Sequence, residues 1–291
     1  MDKVIDTINT FTNNNTITHA YVSLDTAEGS CVGHWIYESA IFLPYIKHLQ
    51  KTLPYTLKIL LHDSKRYKKN ILSDFDFHET DIVYSGIMIS DHRGNGGWQE
   101  SFVIPEESEY ILYLPKFFYL WATNIHTSLF FDCLTKFRDY YIQKIPDTSK
   151  SIPITYLARS RKENYPNNYR EFINNDEIRT MLENNKVNIL DVDNLTSFIP
   201  QFTQILNSKT IILEMGSAFT INAGFIASNS HFIIINDFWD YYTCDTPSFH
   251  ILRKLMNERN NTIEIFSTGG IKSFSVHKES LEKRVCELMN V

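Results

Sequence analysis

Apolar residues fall along this chain in short strand-length blocks separated by longer stretches with helical spacing. ITHAYVSL (17–24) alternates apolar and polar positions as a strand does, and TLKILLH (56–62), DIVYSGIMIS (81–90) and YILYLP (110–115) are denser apolar runs. Between the first two, GHWIYESAIFLPYIKHLQK reads as a helix from Gly33 to about Lys51, with a kink expected at Pro44. The glycine cluster in DHRGNGGW (91–98) breaks regular structure. An aromatic helix or helix pair is expected from about Phe117 to Lys144.

KIPDTSKSIP (144–153) combines Pro, Ser, Lys and Asp and is the best linker in the chain. After it the pattern is regular: strand ITYLAR, helix EFINNDEIRTMLENN, strand KVNILDV, helix LTSFIPQFTQILNS, strand KTIILEM, a glycine-containing turn and helix, and strand HFIIIND. This βαβαβαβ alternation predicts a parallel sheet covered by helices on both faces. The fold class expected is α/β, with two Rossmann-like domains, 1–148 and 149–291, facing across a cleft. The closing segment VHKESLEKRVCELM is an amphipathic helix expected to cross back onto the first domain.

Composition narrows the function. The 291 residues are 43% hydrophobic and 21% charged, enough apolar mass for a true core. A net charge of −6 argues against a nucleic-acid partner but not against a nucleotide, which needs only a local basic pocket. The basic run Lys65 to Lys69 (KRYKK) reads as a solvated loop or helix end. Aromatic residues reach 14%, and ring faces suit the C–H faces of sugars, although any single ring is more often core. Cys31, Cys133, Cys244 and Cys286 show no CxxC spacing, which fits a reducing compartment and neither a zinc site nor a disulfide framework. The polar N-terminus lacks a signal-peptide apolar region and no stretch is long enough to span a bilayer, so a soluble, cytoplasmic protein without a transmembrane segment is expected.

Three constellations carry candidate chemistry. GSAFTIN, Gly216 to Asn222, follows a strand and opens a helix, the arrangement in which backbone N–H groups meet an anion. Gly216 permits the close turn, Ser217 and Thr220 offer hydroxyls, Ala218 lies in the same turn, and Asn222 can hold a loop or a phosphate. An ordinary βα turn with a serine cap is the plain alternative. Arg159 and Arg161 stand at the end of the first strand of the second half, on one face, with Arg170 following; they could clamp a diphosphate or simply pair with surface carboxylates. His34 and Glu38, four apart on one helix, can together deprotonate a hydroxyl, or serve only as a core histidine and a solvated acid. Asp91 in the glycine-rich loop is a further candidate base. Asp191-x-Asp193 and Asp74-x-Asp76 are discounted as metal sites.

Taken together these stretches resemble glycosyltransferase family 61. GHWIYESAIFLP supplies His34, Trp35, Glu38 and Pro44 of an N-terminal motif, with one residue more before the proline. LARSR and REFINNDEI supply Arg159, Arg161, Arg170, Asn174 and Glu177, and GSAFTINAGF supplies Gly216, Ser217, Asn222 and Phe225, without the histidine many members carry before the glycine. The resemblance runs from about residue 31 to 240. It implies a GT-B fold, inversion at the anomeric carbon, no obligatory metal or cofactor, and a UDP-sugar donor, with xylose or N-acetylglucosamine favoured. Membrane anchoring is usual in eukaryotic members, so an unanchored chain points to a bacterial or large-virus enzyme.

The reading of the sequence is therefore a metal-independent, inverting transferase that passes a sugar from a UDP-sugar to a hydroxyl of an oligosaccharide or glycan. Arg159, Arg161, Arg170 and the Gly216–Ser217–Ala218 turn with Asn222 would hold the donor, and Glu177 its ribose. His34, Glu38 or Asp91 would be the base. Two alternatives share these sites: a nucleotide-sugar hydrolase or phosphorylase, and a non-catalytic carbohydrate-binding protein.

Overall fold

In a computed structural model of the protein, the residues described are 19–24, 32, 35–36, 39–53, 56–61, 64–84, 110–113, 127–145, 149–159, 171–192, 195–237, 240–245, 247–266 and 273–290. The chain divides into two compact units, Met1–Tyr140 and Tyr141–Val291.

The first unit is built on a four-stranded sheet of β1 (His19–Ser23), β2 (Thr56–Leu61), β3 (Ile82–Tyr84) and β4 (Tyr110–Tyr113), in the order β3-β2-β1-β4 with every pairing parallel. Helices α1 (Leu43–Thr52), α2 (Arg66–Asp74) and α3 (Thr127–Lys144) accompany it. Pro44 does not kink a longer helix. It sits in the first turn of α1, behind a short 3-10 turn at Ala40–Phe42, where its missing N–H has no helical partner to lose. Phe75, just past α2, stacks on Phe137 and Tyr140 of α3 at centroid distances of 5.3 and 4.0 Å and ties the two helices together.

The basic run is a helix end, one of the two readings expected of it, but it is not wholly solvated. It opens α2, and Lys68 is buried, with its Nζ 5.9 Å from the centre of the Trp35 ring. Residues 68, 71, 72 and 75 share one helical stripe, so the lysine stem packs in line with Ile71, Leu72 and Phe75.

The second unit holds a five-stranded sheet of β5 (Ile152–Ala158), β7 (Asn188–Asp191), β8 (Ser208–Leu213), β9 (His231–Ile234) and β10 (Thr262–Ile265). Its order is β10-β9-β8-β5-β7, again all parallel. A short parallel pair, β6 (Glu171–Phe172) with β11 (Ser273–Phe274), lies beside it in sequence. Helices α4 (Asn175–Asn184), α5 (Ile199–Asn207), α6 (Ser217–Phe219, continuing as a π-helix over Thr220–Ile226), α7 (Pro247–Glu258) and α8 (Lys278–Met289) complete the unit. The isoleucine-rich interiors of β8 and β9 are buried throughout, as strands covered on both faces must be.

Strand alternation divides the core. Ile154, Tyr156, Ala158, Ile212, Ile233 and Ile235 join Ile178, Met181 and Leu182 of α4 and Leu281 and Val285 of α8 in one cluster. The C-terminal helix packs on the second unit's own sheet and on α4. Its apolar stripe, extended by Leu288 and Met289, is used up by that contact. The opposite face carries Phe232 and Phe219, whose rings meet at 5.9 Å.

Candidate active site

In the second sheet the chain lays β7 on one side of β5 and then returns to lay β8 on the other, so the order reverses between β5 and β8. Loops leaving such a point diverge and open a crevice at the carboxyl ends of the strands. The register Tyr156↔Ile212, carried two residues onward, sets Ala158 level with Glu214. Arg159 follows β5 and Glu214 follows β8, and their side chains meet with Nη1 3.7 Å from Oε2. Glu214 is buried and Arg159 partly exposed, so the carboxylate holds the guanidinium from within. An anion arriving there competes with Glu214 for the same charge.

Beyond Glu214 the chain turns sharply. Gly216 has φ of 133°, a conformation that disfavours any residue with a Cβ. Its carbonyl accepts both the backbone N–H and the hydroxyl of Thr220, at 3.0 and 2.9 Å. The N–H of Met215 donates to the carbonyl of Asn236, at 3.1 Å, tying the turn to the end of β9. The helix therefore begins at the sheet edge with its first N–H groups lacking helical partners.

That helix widens into the π form, marked by the Ala227 N–H reaching the Asn222 carbonyl at 2.7 Å. Side chains supply the bonds the widened turn needs. Asn222 is fully buried; its Nδ2 donates to the Ala218 carbonyl at 2.7 Å and its Oδ1 accepts from Gln201 of α5 at 3.1 Å. Asn261 donates to the carbonyls of Ala223 and Ala227, both at 3.0 Å, and accepts from the Ser230 N–H. Asn222 thus serves the interior of the turn-and-helix, not its outer edge.

Further charges line the same end of the sheet. Arg179 of α4 grips Asp191, at the end of β7, through both nitrogens at 2.9 and 3.1 Å, and also bonds Glu183. These bonds, those to Asp191 foremost, raise the Arg179 pKa. Asp191 therefore has both oxygens engaged by an arginine. In the first unit, Asp76 accepts a hydrogen bond from Tyr140 at 2.8 Å. Among the described residues no group of three His, Cys, Asp or Glu side chains is arranged to hold a metal. Burial, and after it the charge of Glu214, raises the Tyr156 phenol pKa well above its usual value, so it stays protonated.

The structure brings Arg159 and the Gly216 turn to one sheet edge. Glu177 is in the first turn of α4, half exposed and paired with Lys278 at 3.3 Å. Ala218 is half-buried in the first turn of α6. His34, Glu38, Asp91, Arg161, Arg170 and the side chain of Ser217 lie outside the described residues. Glu214 and Asn236 are the residues that sequence reasoning missed. Each ends a nearly unbroken apolar strand with a polar side chain, and that abrupt change is the signal that could have marked them.

No curated protein matches the chain. The family described as Glycosyltransferase 61 matches residues 32–233, a span that takes in the Trp35 segment, β5 with Arg159 and the Gly216 turn. No helix among the described residues is long and apolar enough to cross a membrane. With most of its length matched, across the very strands and turn that build the sheet edge, the chain belongs to glycosyltransferase family 61 and is a glycosyltransferase working between a sugar donor and a glycan acceptor.

Proposed function

We propose that the enzyme transfers a sugar from a UDP-sugar to a glycan hydroxyl in one inverting displacement without a metal, xylose and N-acetylglucosamine being the favoured sugars. The observation that carries this reading is the partly exposed Arg159, backed by buried Glu214, at the same strand ends as the Gly216 turn. A guanidinium and an array of backbone N–H groups at a strand-order reversal match the demands of a diphosphate leaving group. The reading takes the enzyme as GT-B, with the donor on the second unit and the acceptor served by the first.

In the step itself the acceptor oxygen bonds to the anomeric carbon as the bond from that carbon to the diphosphate oxygen breaks. The acceptor proton passes to the base, for which His34, Glu38 and Asp91 are the candidates. The electron pair leaves on the diphosphate, where Arg159, Arg161 and the turn offset the growing charge. Asn222 acts indirectly, by fixing the helix behind the turn.

A thermal-shift panel with UDP, GDP, CMP and TDP, each with magnesium or EDTA, tests this. Binding to the native state raises the melting temperature by mass action. Stabilisation by UDP alone, unchanged by EDTA, is expected. Stabilisation that requires metal would overturn the metal-free step, and no stabilisation by any nucleotide would favour a carbohydrate-binding protein.

A further inference from the structure

Asn236 stands two residues beyond β9, in a position with no evident structural purpose. It is fully buried, yet neither its side-chain nitrogen nor its side-chain oxygen has a hydrogen-bond partner. Its backbone is well used, since the carbonyl receives the Met215 N–H that anchors the Gly216 turn. Alternation places its side chain on the face of Phe232 and Ile234. On that face Phe219, from the helix opened by the turn, packs against Phe232 at 5.9 Å and Tyr241 at 5.7 Å.

A carboxamide closed off from water with both ends unmatched destabilises the free protein, and native structures hold few such groups. The neighbouring carboxamides make the contrast, because Asn222 and Asn261 have every end paired. An apolar side chain of the same size would suit an aromatic, dry setting better.

We infer that Asn236 is a donor-recognition residue, pairing with a group on the nucleoside that presents one hydrogen-bond donor beside one acceptor. A carboxamide offers the complementary pair, and the chemistry is met by the imide edge of a uracil or by the adjacent hydroxyls of a ribose. The diphosphate held at the Gly216 turn would bring that nucleoside to the end of β9. Because the amide is closed to solvent, the pairing forms with a local rearrangement as ligand enters. This inference rests on the UDP-donor reading above.

The test is calorimetric titration of the full chain and of Asn236→Leu with UDP and with inorganic pyrophosphate, alongside the melting temperature of each free protein. Removing the unmatched polar ends should raise the free protein's melting temperature by about 2–4 °C. The same change should weaken UDP binding at least about tenfold and leave pyrophosphate binding unaltered. Asn236→Ala repeats both binding arms should the leucine not be accommodated. 3-N-methyl-UDP and 2′-deoxy-UDP then separate the two edges: the analogue lacking the group that Asn236 reads binds wild type and variant alike. Equal UDP affinity in variant and wild type overturns the inference, whatever the melting temperature. So does a variant that melts lower and loses UDP and pyrophosphate in the same proportion, the mark of a structural prop. A wild-type protein that binds pyrophosphate but not UDP sinks the donor reading, and this inference with it.

Discussion

The π-helical stretch after Gly216 and the strand end beside it use the same chemistry to different ends. Asn222 and Asn261 reach into the widened turn and its C-terminal end, where they satisfy the carbonyls of Ala218, Ala223 and Ala227, and Asn261 also accepts the Ser230 N–H. At the strand end, Asn236 is as deeply buried, and its side chain satisfies nothing. Burial of a polar side chain therefore does not by itself distinguish structure from function. What distinguishes them is whether the buried group completes the protein's own hydrogen bonding or leaves it open.

The largest effect expected is at the structural end of this comparison. Asn261→Ala removes the partners of the Ser230 N–H and of the Ala223 and Ala227 carbonyls at once. At roughly 1 kcal/mol or more for each group left unpaired, stability should fall by about 3 kcal/mol. Thermal unfolding should then show a melting temperature lower by about 6–12 °C. A loss below ~1 kcal/mol would mean that the widened turn does not depend on Asn261, and the contrast with Asn236 would collapse.

Next in size is Arg159, where the effect should appear in binding. Arg159→Ala should weaken both UDP and pyrophosphate by ~10- to 100-fold, the equivalent of a charge-assisted hydrogen bond or two. Lysine at this position should recover only part of the affinity, since it lacks the planar fork. Equal loss for both ligands separates Arg159, which would read the diphosphate, from Asn236, which would read the nucleoside. A variant that binds pyrophosphate like wild type would place the anion elsewhere.

Sheet architecture was legible wherever an apolar run had only one length available to it. β8 and β9 are isoleucine-rich blocks bounded by polar residues, and they fold as read. β10, with the sequence TIEI, was not read, because four residues with a central glutamate carry too little signal, and α7 ahead of it went unread as well. Lys68 looked like part of a solvated run because four of five residues there are basic, although its spacing to Ile71, Leu72 and Phe75 puts it on the buried stripe. At the site, Arg159 and Gly216 were visible because strand ends and glycines announce themselves. Glu214 was not, since its role depends on β5 and β8 being neighbours, a pairing that no local pattern states. Asn261 is hidden for the same reason: its partners lie more than thirty residues back in the chain.

A smaller effect is expected at Gly224, inside the π-helix. A Cβ there would stand 2.9 Å from Leu252 Cδ1 of α7, too close for contact without movement. Because the obstacle is the end of a flexible side chain, Gly224→Ala should cost about 1–2 kcal/mol, while Gly224→Val should cost more. Denaturant titration would show it. An alanine variant more stable than wild type would mean that the π-helix and α7 are less closely fitted than the carboxamide pairing around them implies.

The smallest effect belongs to the first unit, where a polar cluster of a different kind sits near the surface. Tyr45 of α1 donates to Asp132 of α3, and Lys136 bonds the Tyr45 hydroxyl at 2.6 Å and Asp132 at 2.9 Å. Partial burial pushes the Asp132 carboxyl upward, but the hydrogen bonds from Tyr45 and Lys136 outweigh it and hold the pKa below 3.8. A depressed carboxylate adds stability above its unfolded pKa and loses it as pH falls through the folded value. Asp132→Asn should therefore lower the melting temperature slightly at pH 7, with the gap to wild type closing as pH drops below 3.8. The side chains of Asp132 and Lys136 are nearly half exposed, so solvent and salt screen the pair and keep the effect small. That is the reverse of Asn261, whose bonds water cannot replace and whose loss should hardly vary with pH or salt. If the Asp132 variant were as damaging as the Asn261 variant, exposure would not be what separates the two clusters, and the weight given to burial at Asn236 would lose its basis.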